Sequence, residues 1–409
     1  MTGRVRARAN GEGSIYPHRN GFAAYAWVRT PAGERTRKYV YGRDRETVHE
    51  KWIKLQREAQ RGPVVTASPT LAEFLAYWLR EVIAPNRAPL TTSTYESLVR
   101  LYLVPGLGSK RLDRLSVRDV QTWMTGLRNA CQCCAQGKDA GRPTDRRRCC
   151  AVQNCCRKAP SPRTIRDLRT VLRSALSTAQ REELVTKNAA ALVTVPSGRT
   201  RKTQAWTSDE ARAFLESARA DDDPHYALYV LVLVLGLRKG ETLGLAWRDV
   251  NLDAGELAVR WQVQRVRREL LRRETKTEGS DATLPLPVLC VTALRLRADQ
   301  QGFDREVAGA AWQGDADGLV FTGRLGMAVD PRTVNRVFSA RCAKAAVRRI
   351  TVHDARRTCG SLLADLDVHP RVAMEILRHA DFSVTMEIYT KVSSQQTRDA
   401  LKRLAESLG

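Results

Sequence analysis

Two short segments in the second half of the chain place basic side chains near a glutamate or a tyrosine. The first is the glycine-rich turn around Arg238 and Glu241, which follows a long apolar run. The second carries His353 and Arg356, which are three residues apart and project from one face of a helix, and Tyr389 follows downstream. Guanidinium and imidazole groups beside a phenol suit attack on a phosphodiester, because fixed cations stabilise the charge that develops on its oxygens.

Each segment also has a plainer explanation when it is taken alone. An Arg–Glu pair at a turn can cap two helices, and a His-x-x-Arg pair often occurs by chance. A tyrosine near a C-terminus is usually a core or interface residue. The information therefore lies in the order and spacing of all these residues together.

Together, the segments resemble the tyrosine recombinase (phage integrase) family. The matching motifs are G-L-R-x-G-E at 236–241, H-x-x-R-x-T at 353–358, L-x-H at 377–379 and a tyrosine ten residues later, at position 389. The resemblance is close over roughly 205–395 and looser elsewhere. It is strongest to integrases of actinobacterial integrative plasmids and phages.

Two apolar segments between these motifs, 257–261 and 283–287, resemble the arms of the family's catalytic β-hairpin. Lys276 would then lie in the turn of the hairpin. The resemblance implies that Lys276 is the general acid that protonates the departing 5′-oxygen of the DNA.

The resemblance also implies roles for the other matched residues. Arg238 and Arg356 would hold the phosphate, because a guanidinium forks onto two oxygens and stays charged. His379 would donate a hydrogen bond to the same phosphate. Tyr389 would be the nucleophile and His353 its base or proton relay, since a phenol with a pKa near about 10 is otherwise a poor nucleophile. The 3′-phosphotyrosine retains the bond energy, so neither ATP nor a metal is required for catalysis.

One position departs from the family pattern. Glycine usually precedes the second histidine of the motif, and Arg378 stands there in this chain. A glycine would allow close backbone approach at a helix start. Arg378 is tolerated, adds a phosphate contact or slows the enzyme, and the sequence does not decide among these.

The resemblance implies a site-specific recombinase that integrates a mobile element and, with an accessory factor, excises it. Its partners would be double-stranded DNA attachment sites, an excisionase or a host DNA-bending factor, and three further copies of the chain in a tetramer. A short tail with Leu401, Leu404 and Leu408 at helical spacing would dock onto a neighbouring protomer. A type IB topoisomerase and a non-catalytic DNA-binding regulator are the alternatives, and the regulator would not depend on Tyr389.

The net charge of +24 is unevenly distributed along the chain. The first 62 residues carry 14 basic and 6 acidic side chains, and the balance is +14 over residues 63–204 but only +2 over residues 205–409. A basic half joined to a nearly neutral half favours a nucleic acid as the partner. The longest apolar run, at 226–237, is too short for a membrane span and predicts a buried helix. We therefore expect a cytoplasmic, nucleoid-associated protein.

Turn signals and apolar spacing predict a multidomain, mainly α-helical protein with a small N-terminal α+β domain. Residues 1–62 would form an arm-type DNA-binding domain of three strands and a helix. Residues 70–196 would form a helical core-binding domain, and 205–409 a catalytic domain that is helical with a β-hairpin and ends in a tail helix. The linkers would be 62–69 and 197–204, which lack periodicity.

A helix predicted after Ser161 carries a row of arginines off its apolar side. Such a row is usually only a solvated face. In so basic a domain it also suits phosphate contact. The arginines are Arg163, Arg166, Arg169 and Arg173.

Seven of the ten cysteines lie between positions 131 and 156. They form a C-x2-C and a C-x4-C pattern, which is compatible with a four-thiolate structural zinc site. Disulfides are disfavoured in a cytoplasmic protein, and the alternative to zinc is a flexible basic insertion with unpaired thiols. The zinc ligands predicted from the spacing are Cys131, Cys134, Cys150 and Cys155.

Overall fold

The computed structural model comprises two compact units, Met1–Arg199 and Thr200–Gly409. No helix in the described part of either unit is long and apolar enough to cross a bilayer. The described residues are 15–29, 33–62, 68–195, 205–275, 282–314 and 318–378, together with 385, 386, 389, 402, 405 and 406.

The N-terminal unit begins with a small antiparallel sheet, in the order β1-β2-β3, packed on helix α1. One face of the sheet, with Ala24 and Val28, is buried against Val48, Trp52 and Leu55 of the helix. This is the sheet with one helix that the turn signals predict. The elements are β1 (Tyr16–His18), β2 (Gly21–Arg29), β3 (Arg35–Gly42) and α1 (Arg45–Arg61).

Helices around a second apolar core make up the rest of this unit. Capping boxes open α2 and α6: Thr70 pairs with Glu73, and Ser116 with Asp119. The α2 helix continues through a π-helical segment into α3, and α4 continues likewise into α5. The helices are α2 (Leu71–Tyr77), α3 (Ala84–Asn86), α4 (Pro89–Leu98), α5 (Val104–Leu107), α6 (Val117–Leu127), α7 (Gln132–Ala135) and α8 (Pro162–Arg181).

The C-terminal unit is built around α10, whose first eight residues are all buried. This confirms the buried helix predicted from the apolar run. The helices are α9 (Ser208–Ala220), α10 (Tyr226–Val234), α11 (Lys239–Gly244), α12 (Val288–Ala308), α13 (Pro331–Lys344), α14 (Val352–Asp365) and α15 (Pro370–Leu377). The strands are β4 (Val250–Asn251), β5 (Glu256–Val259), β6 (Trp261–Val266), β7 (Glu269–Glu274) and β8 (Ala282–Pro285).

The strands of this unit form two small sheets, β4-β5-β8 and the hairpin β6-β7. Pairing of Leu257 with Leu284 confirms that the two predicted hairpin arms lie side by side. The β6-β7 hairpin is inserted between them and was not predicted from the sequence. It packs directly on α11. The two elements are so close that a Cβ at Gly244 would lie only 2.7 Å from the backbone of Gln262. Lys276 follows β7 and lies outside the described residues.

Candidate active site

A left-handed turn at Gly236 connects α10 to α11 and sets the position of Arg238. Gly236 has φ +58°, and a Cβ at this position would lie 2.6 Å from the side chain of Leu377. Glycine is therefore required both by the backbone conformation and by the space. The turn leaves Arg238 as the residue that precedes α11, at the mouth of a cleft.

Arg356 connects α14, the turn at Gly236 and the C-terminal end of α15 through hydrogen bonds. Its side chain is buried on α14, and its guanidinium donates to the carbonyl oxygens of Gly236 and Leu377. Burial, followed by the nearby Arg238, lowers the pKa of Arg356 to about 9. The group therefore remains a cation at neutral pH, with an orientation fixed before any substrate arrives.

Glu241 is the buried anion of the site. One of its oxygens, Oε1, accepts from Arg238 at 2.6 Å, while Oε2 accepts from the guanidinium of Arg378 at 2.8 Å and from the backbone N–H of Arg238 at 2.8 Å. Burial would raise the pKa of Glu241, but Arg378 and then Arg238 hold it below its ordinary value. We call these four residues, Arg238, Glu241, Arg356 and Arg378, the arginine cluster.

The residues of the arginine cluster differ in their exposure to solvent. Arg238 has 42 % of its side chain exposed, whereas Arg378 has 1 %. A cavity of about 320 Å³ lies on the exposed side and is lined by Arg238, His353 and Arg356, together with Lys239 and Asn335. Lys239 donates to the Asn335 side chain at 2.9 Å. The cavity thus presents several positive groups to a ligand and is suited to an anion.

His353 lies in the first turn of α14, one turn before Arg356, as the spacing predicts. Burial, and then the charges of Arg357 and Arg356, lower its pKa below the ordinary value. Its imidazole is therefore neutral at pH 7 and able to accept a proton.

Tyr389 is half-buried, and its hydroxyl donates to the carbonyl oxygen of Val368 at 2.8 Å. Burial is the main cause that raises the pKa of the phenol. The tyrosine is thus held protonated against the loop between α14 and α15. The hydroxyl could donate to another group only after this hydrogen bond breaks.

Arg378 ends a helix, so the expectation from the sequence that it lies at a helix start is wrong. It caps the C-terminus of α15 with φ 51° and ψ 50°, a left-handed conformation that favours glycine. Its backbone carbonyl accepts from Arg238 at 3.2 Å. The departure from the motif therefore adds a third guanidinium to the site, which the motif itself could not predict. His379, the next residue, lies outside the described residues.

The four arginines proposed to contact DNA are not equivalent. Arg163, Arg166 and Arg173 are exposed on α8, and Arg163 lies 3.8 Å from Asp167. Arg169 is half-buried and donates to the carbonyl oxygens at positions 190 and 191 at 3.1 and 2.9 Å. Its role in this structure is to hold the segment that follows α8.

The N-terminal domain, which was expected to bind DNA, has an aromatic and basic face whose residues were not singled out from the sequence. The face of the N-terminal sheet away from α1 exposes Trp27, Tyr39 and Tyr41. Arg35 and Arg37 lie over the Trp27 ring at 5.0 and 4.7 Å. The signal that could have revealed it is the period of two along β3, where Arg35, Arg37, Tyr39 and Tyr41 occupy every second position.

The cysteine segment brings sulfur atoms together. Three of the predicted ligands, Cys131, Cys134 and Cys155, have Sγ atoms within 4.8 Å of one another, and the fourth in this group is Cys149 rather than Cys150. Cys149 is fully buried, because its backbone N–H is held by Asp139 and its side chain turns inward. The thiol of its neighbour Cys150 is instead directed at the carbonyl of Cys133, 3.8 Å away. We call Cys131, Cys134, Cys149 and Cys155 the cysteine cluster.

Comparison with known proteins gives matches along both units. The model of the phage integrase family matches residues 204–396, and that of the phage integrase N-terminal SAM-like domain matches 70–128. An integrase of Streptomyces ambofaciens is 26 % identical, with 95 % of this chain and 94 % of the relative covered. A XerC-like tyrosine recombinase of Caldanaerobacter subterraneus is 24 % identical, with 92 % and 93 % covered.

Solved structures show the same fold. The integrase of transposon Tn1549 in complex with a circular intermediate DNA matches with a TM-score of 0.65 and 19 % identity, covering 82 % of this chain and all of the other. A lambda integrase dimer bound to a COC′ core site matches with a TM-score of 0.53 and 16 % identity, covering 94 % and 96 %. The mainly helical architecture with small sheets is therefore that of these enzymes.

Proposed function

We propose that this chain, which belongs to the phage integrase family of tyrosine recombinases, is a site-specific recombinase that cleaves and rejoins DNA through a covalent phosphotyrosine at Tyr389. The observation that supports this most is the convergence of Arg238 and Arg356. They come from distant parts of the sequence, yet both donate to carbonyls at the end of α15 and both line one cavity. Two fixed guanidinium groups beside a neutral imidazole suit the charge that develops on a phosphate under attack.

Each residue has a separate task in this proposal. Arg238 and Arg356 bind the nonbridging oxygens, and His353 accepts the phenol proton as Tyr389 attacks the phosphorus. Lys276 protonates the departing 5′-oxygen, and His379 donates a hydrogen bond to the phosphate. Rejoining is the reverse: a 5′-hydroxyl attacks the phosphotyrosine and Tyr389 leaves. The chemistry needs no cofactor, and a metal in this chain would be structural.

DNA is the partner that the charge distribution favours. The exposed arginines of α8 would contact the phosphate backbone of a core site. The aromatic and basic face of the N-terminal sheet would bind separate arm sites. Exchange between two attachment sites requires four active protomers, so we propose a tetramer on synapsed DNA, with a docking tail and an excisionase or DNA-bending factor for excision. The mobile element would be a phage or an integrative plasmid.

A nicked suicide substrate carrying the attachment site tests the proposal. The wild-type chain should form a covalent protein–DNA adduct, and Tyr389→Phe should form none, because the phenol oxygen is the nucleophile. Tyr102→Phe, at another half-buried tyrosine, is the matched control and should retain the adduct.

The same substrate separates the alternatives. A non-catalytic regulator would give no adduct even with wild type. A type IB topoisomerase would relax supercoiled plasmids that lack the attachment site and would give no recombinants between two sites. Adduct without recombination on any pair of sites would therefore contradict the recombinase assignment while leaving the tyrosine chemistry intact.

A further inference from the structure

The cysteine cluster has the dimensions of a metal-binding site. Its sulfur atoms are separated by 3.8 Å between Cys131 and Cys149, 3.5 Å between Cys134 and Cys149, and 3.8 Å between Cys134 and Cys155. In a tetrahedron with Zn–S bonds of about 2.3 Å, neighbouring sulfur atoms are about 3.8 Å apart. The observed separations therefore fit one tetrahedral ion at the centre of the group.

The same distances do not fit the other structures that cysteines form. A disulfide needs sulfur atoms about 2.05 Å apart, so no pair in the cluster is bonded. A cluster of several iron atoms would separate its thiolate ligands more widely than a single ion does. Among metal centres, the arrangement that these distances fit is a single ion with four sulfur ligands.

Backbone groups around the cluster are placed to receive thiolates. The N–H of Cys156 donates to the sulfur of Cys149 at 3.2 Å, and the N–H of Arg157 donates to the sulfur of Cys155 at 3.4 Å. Hydrogen bonds of this kind stabilise negative sulfur and orient the ligands of a metal. Because both donors are backbone N–H groups, the conformation of the loop itself places them beside the sulfur atoms.

Asp139 fixes the loop that carries Cys149. Its side chain is fully buried and accepts from the backbone N–H groups of Arg148, Cys149 and Ala151, at 3.0, 2.8 and 3.2 Å. The side chain of Arg142 pairs with it at 2.7 Å. A buried carboxylate that satisfies three backbone donors makes this loop rigid, and the sulfur of Cys149 is held in place before a metal binds.

We propose that Cys131, Cys134, Cys149 and Cys155 bind one structural Zn²⁺ ion, which goes beyond the recombinase function. The site lies in the chain between α6 and α8. The N–H of Gln132 donates to the carbonyl of Lys158 at 3.0 Å, so the two ends of this segment are already joined. The ion would cross-link the residues between them. It therefore fixes the start of α8, the helix whose exposed arginines face DNA in the proposed function.

Metal analysis of the full-length chain, purified without chelator, tests the site. We expect one zinc per chain in the wild type and a loss of nearly all zinc in Cys149→Ser. Cys150→Ser is the matched control, because it removes the adjacent thiol that lies outside the cluster, and it should retain one zinc. Zinc absent from the wild type, or retained in Cys149→Ser, would overturn the proposal.

Exchange of Co²⁺ into the wild type tests the geometry without relying on a variant that must fold. Four thiolates around tetrahedral Co²⁺ should give intense d–d bands and sulfur-to-cobalt charge-transfer absorption. Weak octahedral bands would contradict the site.

The fourth ligand can be assigned by a second pair of variants. Cys156 is the neighbour of Cys155, and its sulfur lies 3.6 Å from that of Cys131. Cys155→Ser should lose zinc and Cys156→Ser should keep it, and the reverse result would overturn the assignment of Cys155.

Discussion

The arginine cluster and the cysteine cluster each gather side chains of one chemical kind, but they balance charge in different ways. The arginine cluster holds its own counter-ion, because Glu241 pairs with two of its three guanidinium groups. It still has an excess of two positive charges, on the side where Arg238 is exposed. The cysteine cluster has four sulfur atoms in contact range, and in their thiolate form they need a cation. In the functions proposed above, each cluster would be completed by a ligand of opposite sign, a phosphate in one and a metal ion in the other.

The two clusters differ in whether their charge must be balanced while no ligand is bound. A structural metal ion stays bound. In the proposed zinc site, the ion alone can therefore compensate the negative charge of the thiolates. A substrate comes and goes, and the arginine cluster must remain folded without it. A buried charge with no partner costs several kcal/mol. Glu241 therefore stabilises the cluster when no ligand is bound, and it leaves an excess of positive charge for the DNA phosphate of the proposed function.

Replacing Glu241 with Gln is the strongest test of this comparison. Arg378 has 1 % of its side chain exposed and would lose its charged partner. We expect the free energy of unfolding to fall by about 3–5 kcal/mol, measured by urea denaturation of the full chain. The double variant Glu241→Gln/Arg378→Gly should recover part of this loss, because it also removes the buried cation. A double variant no more stable than Glu241→Gln would show that charge balance does not hold this cluster together.

Replacing Arg356 with Lys tests the fixed geometry of the cluster. A lysine keeps the charge, but it cannot donate to the carbonyls of Gly236 and Leu377 and also face a phosphate. We expect the rate of adduct formation to fall by about 10²–10³-fold, with DNA binding in a gel shift reduced much less. Lys344→Arg is the control, because it exchanges one basic side chain for another at an exposed position on α13. It should leave the rate of adduct formation unchanged. A wild-type cleavage rate in Arg356→Lys would mean that charge alone is sufficient.

Much of this site could be predicted from the sequence because its motifs are local. The spacing of His353 and Arg356 fixes a shared helix face, and the apolar run before Gly236 fixes a buried helix. The hydrogen bond from Tyr389 to Val368 could not be predicted, since it joins residues on separate segments with no periodic relation. The burial of Arg378 on Glu241 was missed for the same reason.

The cysteine cluster shows a similar limit. Spacing alone indicated a zinc site but could not choose between Cys149 and Cys150. In the structure, Asp139 accepts from the backbone N–H of Cys149, and the side chain of Cys149 is buried among the other sulfur atoms. This contact joins residues ten positions apart, and no pattern of cysteines contains that information.

The pH dependence of cleavage tests the charge of the cavity. Burial and the neighbouring arginines lower the pKa of His353, so the imidazole is neutral at pH 7 and becomes protonated only in acid. We expect adduct formation to be constant from pH 7 to 8, at a fixed ionic strength, and to fall below about pH 6.5 as His353 loses its ability to accept a proton. His353→Gln should be slower and should lose this acidic limb. If adduct formation instead fell to half its maximum above pH 6.5, the surroundings of His353 would be less positive than the structure indicates.

The smallest effects are expected on α8, where charge is exposed. Arg166 is exposed, so Arg166→Gln should leave the unfolding free energy within about 0.5 kcal/mol and reduce the slope of log K against log salt for DNA binding by about 1. Arg169 holds two backbone carbonyls, so Arg169→Gln should destabilise the N-terminal unit by about 1.5–3 kcal/mol with little change in the slope. Equal effects of the two variants on slope and stability would contradict the distinction. The salt slope thus separates exposed arginines such as Arg166, which could contact a phosphate, from arginines such as Arg169, which the chain itself has already paired.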